Sequence, residues 1–175
     1  TGDDSIAGFG MEHLLVKDCT INTSCNGVRI IGPLKQAILQ GCLFYGPGAH
    51  PHRTQSRHNM LSGINLQPGA WGPFEGPLDD ILIADTTMKN VACPFNVWLT
   101  RPGHTANRIL IQRLMATGAY RSAASVESWS ETAGGRVVLR DVSLDYVPGE
   151  GCAKAPTSAA APTADVRPLP VWGFY

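Results

Sequence analysis

One short pattern recurs five times along the chain and constrains its fold more than any other feature. Each copy follows an apolar run and alternates apolar with polar side chains, as a half-buried β-strand does. The copies occupy residues 16–21, 39–44, 83–88, 111–116 and 139–144, so successive starts lie 23, 44, 28 and 28 residues apart. Repeats of roughly 20–50 residues indicate a solenoid. With β-rich repeats and Gly and Asn turns, the pattern predicts an all-β chain folded as a right-handed parallel β-helix.

A second strand follows most copies, and its alternation predicts an outward column of polar and aromatic side chains. These strands cover residues 27–31, 63–66, 95–99 and 125–129. Apolar positions are expected to face inward and their neighbours outward, and stacked strands about 4.8 Å apart bring equivalent positions into line. The expected column contains Asp3, Arg29, Asn65, Asn96 or Trp98, and Glu127 or Trp129. A column of polar and aromatic side chains of this kind is suited to binding a linear polymer.

We expect a single β-helix domain over residues 1–175, interrupted twice. Residues 46–77 hold the longest spacing between repeats and are rich in His, Pro and Gly, which predicts a long inserted loop. Residues 149–170 are rich in Ala and Pro and predict a low-complexity surface loop. Both ends of the chain resemble interior repeats, so we expect it to be a C-terminal portion of a longer helix.

Composition excludes several classes of partner. The 14 basic and 14 acidic residues cancel, which argues against a nucleic-acid partner. No apolar run approaches the roughly 18–20 residues that cross a bilayer, which argues against a membrane partner. The five cysteines form no CxxC pair and no zinc spacing, so we expect buried thiols, with Cys19 stacked on Cys42, and neither a metal nor another cofactor.

The first seven residues, TGDDSIA, carry a resemblance to a known family. They resemble the Gly-Asp-Asp segment of glycoside hydrolase family 28, the polygalacturonase-like enzymes of the pectin-lyase-like right-handed β-helix superfamily. Residues 16–21 are similar to that family's coil repeat, and residues 26–30 to its Gly-rich strand. The resemblance implies a hydrolase that cleaves a pectic or related polysaccharide with inversion and works in an extracellular or periplasmic location.

The resemblance also implies roles for the two adjacent carboxylates. Asp3 would be the general acid and Asp4 a base partner in activating water. Two carboxylates so close raise the pKa of one of them, which keeps an acid protonated near neutral pH. The family has a further Asp one coil upstream, which this chain does not contain. The family's Gly-His-Gly is replaced by Cys25-Asn26-Gly27, which weakens a galacturonate-specific interpretation.

Further candidates for substrate binding come from the outward column and the long loop. Arg29 has the planar fork that binds a carboxylate or sugar hydroxyls. Trp98 and Trp129 have the strand parity that points outward, and aromatic faces stack on sugar rings. The remaining candidates are Asn26, Asn65, Glu127 and, in the loop, His50, His52 and Arg53.

Three functions remain open. The first is a glycoside hydrolase with a polysaccharide or oligosaccharide as its partner, and with the N-terminal part of the same protein as a further partner. The second is a polysaccharide lyase, which usually needs an acidic Ca²⁺ cluster and a basic group, and the scattered acids of the column disfavour it. The third is a non-catalytic β-helix that binds carbohydrate or is structural, favoured if the upstream Asp is truly missing.

Overall fold

The fold was analysed in a computed structural model, which describes residues 1–72, 75–130 and 135–148. Every regular element within these residues is a β-strand, so the all-β prediction is confirmed for them. No helix of the described residues is long and apolar enough to cross a membrane. The strands are β1 (Ile6–Gly8), β2 (Met11–Glu12), β3 (Leu15–Lys17), β4 (Thr20–Asn22), β5 (Asn26–Ile30), β6 (Leu34–Gln40), β7 (Leu43–Tyr45), β8 (Ser62–Leu66), β9 (Gly76–Lys89), β10 (Cys93–Leu99), β11 (His104–Ala119), β12 (Ser125–Ser128) and β13 (Val137–Tyr146).

The strands form two sheets in which every pair is parallel. The first sheet has the order β1-β5-β8-β10-β12, and we call it sheet A. The second, sheet B, has the order β13-β11-β9-β6-β2, with β3 also on β6 and β7 between β4 and β9. The chain passes from one sheet to the other and back at each repeat, so consecutive repeats place consecutive strands side by side.

The repeat read from the sequence sets the register of sheet B. Five apolar residues, one from the start of each copy, are Cα partners across four strand pairs. They are Val16, Leu39, Ile83, Ile111 and Leu139. A one-residue slip would turn every apolar side chain of a strand to the solvent face, so the apolar positions fix this pairing. The predicted alignment of the repeats is confirmed.

Two residues after each aligned position, the backbone of sheet B turns a corner in the left-handed region. The corner residues are Asp18, Gly41, Asp85, Arg113 and Asp141, with φ between 47° and 67°. Gly reaches this region without strain, and Asp is among the few other residues that tolerate it. At Asp85 and Arg113 the stacked corners are also joined by an ion pair, with Nε of Arg113 2.6 Å from Oδ1 of Asp85.

The core lies between the two sheets. Val28, Ile64 and Phe95 are Cα partners on sheet A, and all three are fully buried. Phe44 and Met88 are partners on sheet B and are buried as completely. Each fully buried side chain of this size contributes about 1.5–3 kcal/mol relative to an exposed one. Inward-facing rows of this kind leave the opposite face of sheet A for polar residues.

Three sequence predictions need correction or qualification here. The stretch 46–77 is not one continuous loop, because the strand predicted at 63–66 forms β8 within it and β9 begins at Gly76. Ile64 and Leu66 of β8 lie in the core. The predicted column is wrong at both ends, because Ala7 and not Asp3 is the partner of Arg29, and Ser125 rather than Glu127 or Trp129 is the partner of Asn96. Residues 149–170 lie outside the described residues, so the surface loop predicted there stays a prediction.

Candidate functional site

A cleft of about 470 Å³ opens on the face of sheet A that is turned away from the core. Its floor comes from β5, β8 and β10. Its walls come from the segments before these strands, from the segment after β8 and from the turn between β11 and β12. The described residues that line it are Asp3, Cys25, Asn26, Arg29, His52, Arg53, Thr54, Gln55, Arg57, Leu61, Asn65, Gln67, Trp71, Cys93, Asn96, Trp98, Arg121 and Ser122.

Strand register places a row of polar side chains along the floor. Arg29, Asn65 and Asn96 are Cα partners on β5, β8 and β10, as the alternation predicted. Asn65 is 6% exposed, and its Oδ1 has no hydrogen-bond partner within the described part of the chain. Trp98 lies two residues further along β10, and its Nε1 donates to Oγ of Ser125 at 2.8 Å. A buried acceptor without a donor is costly, so Asn65 is poised to bind a ligand or solvent.

Arg29 is held on two sides and has one donor without a partner among the described residues. Its Nη1 lies 3.6 Å from Oδ2 of Asp4. Its guanidinium carbon lies 4.6 Å from the centre of the Trp71 ring, which is cation–π geometry. Its Nε is buried and has no acceptor among the described residues. The guanidinium is therefore oriented by its neighbours and retains a free donor beside the cleft.

Asp4 lies beneath this guanidinium as a fixed carboxylate. Its Oδ1 accepts hydrogen bonds from the backbone N and from Nδ2 of Asn26, at 3.0 and 2.7 Å. Burial acts to raise the pKa of Asp4, but hydrogen bonds from Cys25 and Asn26 and the charge of Arg29 outweigh it and leave the pKa lowered. Asp4 is thus ionised at neutral pH and holds Arg29 in place.

Asp3 has a different environment, at the rim of the cleft. Its side chain is 40% exposed, and its Oδ2 lies 2.6 Å from Nε of Arg53. The loop that carries Arg53 packs against the start of the chain, where Arg53 N donates to the carbonyl of Gly2 at 2.8 Å. A side chain at Gly2 would lie 2.4 Å from the carbonyl oxygen of Pro51, so this close approach requires glycine. The two adjacent carboxylates therefore differ in exposure and in the arginine that each one contacts.

Arg57 and Cys25 form the end of the cleft nearest Asp4. Nη1 of Arg57 donates to the carbonyl oxygens of Ser24 and Asn59, and Nη2 lies 3.8 Å from Sγ of Cys25. Burial and the negative charge of Asp4 raise the pKa of the Cys25 thiol to about 11, although Arg57 opposes the shift. A thiol with such a pKa is protonated at neutral pH, so Cys25 is not an activated nucleophile.

Three potential metal ligands converge at the same end, which the sequence did not predict. A carboxylate oxygen of Asp3, Sγ of Cys25 and a ring nitrogen of His52 all lie within 4.8 Å of one another. Arg53 already pairs with Asp3, and Arg57 lies against Cys25. Two guanidinium groups next to the ligands repel a dication by Coulomb's law. The electrostatics of this cluster favour an anion over a metal ion.

The lining as a whole concentrates positive charge. Four arginines line the cleft, Arg29, Arg53, Arg57 and Arg121, whereas Asp3 is the one carboxylate among the described lining residues. The chain itself has no net charge, so this excess is local. A concave site lined by one sign of charge attracts the opposite sign. With two tryptophans and three asparagines beside the arginines, the cleft is suited to an anionic ligand that has both rings and hydroxyls.

Some of the predicted site residues lie in this cleft, and others do not. Those that line it are Asp3, Asn26, Arg29, Asn65, His52, Arg53 and Trp98. His50 is exposed, and its carbonyl accepts a bond from Ser24. Glu127 accepts a bond from Ser125 one strand beyond Trp98, and Trp129 donates to the carbonyl of His104 at 3.1 Å. These three residues are not among those that line the cleft, and neither is Asp4, which contacts Arg29 and Asn26 behind the lining.

Several lining residues were not predicted because no strand periodicity governs them. Trp71 belongs to the segment after β8, Arg57 to the loop before it, and Arg121 to the turn between β11 and β12. Their directions depend on loop paths, and alternation along a strand says nothing about these. Composition was the one available signal, since Arg and Trp are frequent at binding sites. Cys25 and Cys93 also line the cleft, although they were expected to be plain core residues.

Comparison with family models, with curated proteins and with solved structures finds no match for this chain.

Proposed function

We propose that the cleft on sheet A binds an acidic saccharide. The observation that carries the proposal is Arg29, whose guanidinium is fixed by Asp4 and Trp71 while its buried Nε has no acceptor. A sugar carboxylate supplies that acceptor and forms a charge-assisted hydrogen bond, which is about twice as strong as a neutral one. The positive excess of the lining favours the same charge on the ligand.

Neutral parts of a sugar also find partners in the cleft. Trp71 is 65% exposed, so one face of its ring is open to stack on a sugar while Arg29 covers the other. The free Oδ1 of Asn65 accepts a bond from a hydroxyl. A simple inorganic anion uses only the arginines, whereas a uronic acid uses all three kinds of group.

We expect the cleft to bind a polymeric ligand if the two sheets are the sides of one right-handed parallel β-helix. The aligned repeats and the stacked left-handed corners support this arrangement, and right-handed crossover is the rule for parallel strands. The floor row then runs along the helix axis, with one strand about every 4.8 Å. A crystal structure that traces successive turns of one coil would establish the β-helix, and a different connection between the sheets would refute it.

Binding is tested by titrating the protein with de-esterified polygalacturonate and following tryptophan fluorescence, which reports on Trp71 beside Arg29. Wild type is compared with Arg29→Ala and with Arg140→Ala, an exposed arginine on β13 of the other sheet. We expect Arg29→Ala to weaken binding roughly 10-fold or more, because a charged hydrogen bond contributes about 1.5–3 kcal/mol. Arg140→Ala should bind as wild type does. An equal loss of affinity in both variants would show that binding depends on the overall charge of the protein, and it would refute the assignment to this cleft.

Hydrolysis is a second candidate, favoured by the half-exposed carboxylate of Asp3 at the rim of the cleft. Asp4 is held ionised, which suits a base but not a general acid, and Oδ2 of Asp3 is occupied by its contact with Arg53. A general-acid role for Asp3 therefore requires that substrate displace Arg53. The assay reads new reducing ends together with ultraviolet absorbance. New reducing ends that appear without ultraviolet absorbance and are lost in Asp3→Asn support hydrolysis. Products that absorb ultraviolet light indicate a lyase. Binding without any product indicates a non-catalytic binding module.

A further inference from the structure

Arg121 lies in the cleft at a distance from the residues that hold Arg29. It belongs to the turn before β12, and its backbone N donates to the carbonyl of Ala92 at 2.9 Å. Its Nε is buried without a hydrogen-bond partner, and the ion pairs found among the described residues do not include its guanidinium. The protein thus buries part of a charged side chain and leaves a donor unused, which is costly unless a ligand or solvent pairs with it.

Backbone hydrogen bonds give the spacing between the two ends of the cleft. Leu61 N donates to the carbonyl of Cys25 at 2.8 Å, and Cys93 N donates to the carbonyl of Leu61 at 3.1 Å. Cys25 and Cys93 are therefore two strand steps apart, which is about 10 Å. Arg57 contacts Cys25, whereas the charge of Arg121 acts on Cys93. The two guanidiniums mark opposite ends of one row.

We propose that Arg121 forms a second anion subsite at least two strand steps, about 10 Å or more, along the cleft from the subsite of Arg29 and Arg57. The cleft then selects saccharide chains that have at least two acidic groups at this spacing. This inference rests on the proposed function and adds the charge spacing of its ligand. Buried, unpaired guanidinium nitrogens at both ends carry it, because one compact anion cannot satisfy both.

Occupying two subsites with one chain changes how affinity depends on ligand length. An oligomer too short to span the cleft binds one subsite at a time. Once it is long enough, the second contact becomes intramolecular, and the effective concentration of the second acidic group raises affinity sharply. A single-subsite cleft shows no such step, because added sugars beyond the first subsite meet no further cation.

The test is calorimetric titration with de-esterified oligogalacturonates of increasing length. Wild-type protein should show a step in affinity at the first length that spans both subsites. Arg121→Gln should remove the step, weakening the long oligomers roughly 10-fold or more while leaving the short ones unchanged. Arg121→Lys keeps the charge but loses the planar fork, so a reduced step is expected. Arg140→Gln, on the other sheet, should leave the step intact.

The outcomes of this titration distinguish a failure of the second subsite from a failure of the proposed function on which it rests. If Arg121→Gln binds long oligomers as tightly as wild type, the second subsite is refuted and the acidic-saccharide cleft stands. If no oligogalacturonate binds wild type at any length, both are refuted. If Arg121→Gln does not fold, the wild-type protein is titrated instead with fully methyl-esterified oligomers, which carry no acidic groups. A step that persists with these uncharged ligands overturns the proposal, and its absence supports it.

Discussion

Two neighbouring aspartates show how strongly a side chain's surroundings set its role. Asp3 faces the open rim and pairs with an exposed arginine, whereas Asp4 is 12% exposed and accepts two hydrogen bonds from Asn26. The resemblance at the sequence level treated the pair as an acid and a base acting together. The structure gives Asp4 the additional task of orienting Arg29, so its removal should affect both stability and ligand binding.

We expect Asp4→Asn to lower the free energy of unfolding at pH 7 by about 2 kcal/mol, because the variant loses charged hydrogen bonds and leaves Arg29 without its partner. The folded-state pKa of Asp4 is lowered from 3.8, so its stabilisation is fully present above that pH and is lost as the pH falls below it. The difference between wild type and variant should therefore begin to shrink as the pH falls below 3.8 and continue to shrink as the pH falls further, as measured by urea unfolding.

The matched control for this prediction is Asp18→Asn, at an exposed carboxylate on sheet B whose nearest cation is 3.9 Å away. This change keeps a residue that tolerates the left-handed corner and should alter stability little. A difference between Asp4→Asn and wild type that stays constant from neutral pH to pH 3 would contradict the assigned pKa direction.

Among the elements, the corners of sheet B are specified by residue type. A further corner stacks Asn90 beside Gly118, with φ of 51° and 68°. Asparagine and glycine tolerate this region, but a residue with a plain Cβ is strained there. Corner columns of this kind let long strands such as β9 and β11 bend around the core without losing register.

We expect Asn90→Ala to destabilise the protein by about 1 kcal/mol, because alanine carries the steric cost of the left-handed region. Asn90→Gly should be close to neutral, since glycine adopts this conformation freely. Thermal unfolding measures both variants. Asn107→Ala, at an exposed asparagine of β11 that is not among the residues with a left-handed φ, controls for loss of the amide group. If Asn90→Ala and Asn90→Gly unfold at the same temperature, backbone strain is not what selects the corner residue.

The elements also show what the sequence could and could not predict. The register of sheet B follows from apolar positions such as Leu39 and Ile83, because a slip exposes the core face. The floor row of the cleft follows from alternation along β5, β8 and β10. The walls do not, because Trp71 and Arg121 lie where the chain leaves the strands. Strand parity predicted Trp98 and Trp129 as binding residues, but Trp71 is the tryptophan that contacts Arg29.

At the scale of the whole molecule, the charges of the two sheets are arranged differently. At the corners of sheet B charges are paired locally, and Asp85 pairs with Arg113, whose hydrogen bonds lower the pKa of Asp85 to about 2. Four arginines line the cleft on sheet A, although the chain as a whole has no formal net charge. A neutral protein therefore presents a locally cationic groove, which net charge alone could not reveal.

The central claim is that this groove recognises the acidic groups of a saccharide. The most direct measurement compares the affinity of the wild-type protein for de-esterified and fully methyl-esterified polygalacturonate over a series of salt concentrations. We predict that the acidic polymer binds, that its affinity falls steadily as salt screens the arginines, and that the esterified polymer binds at least roughly 10-fold more weakly at low salt. Equal affinity for the two polymers, unchanged by salt, would contradict the claim.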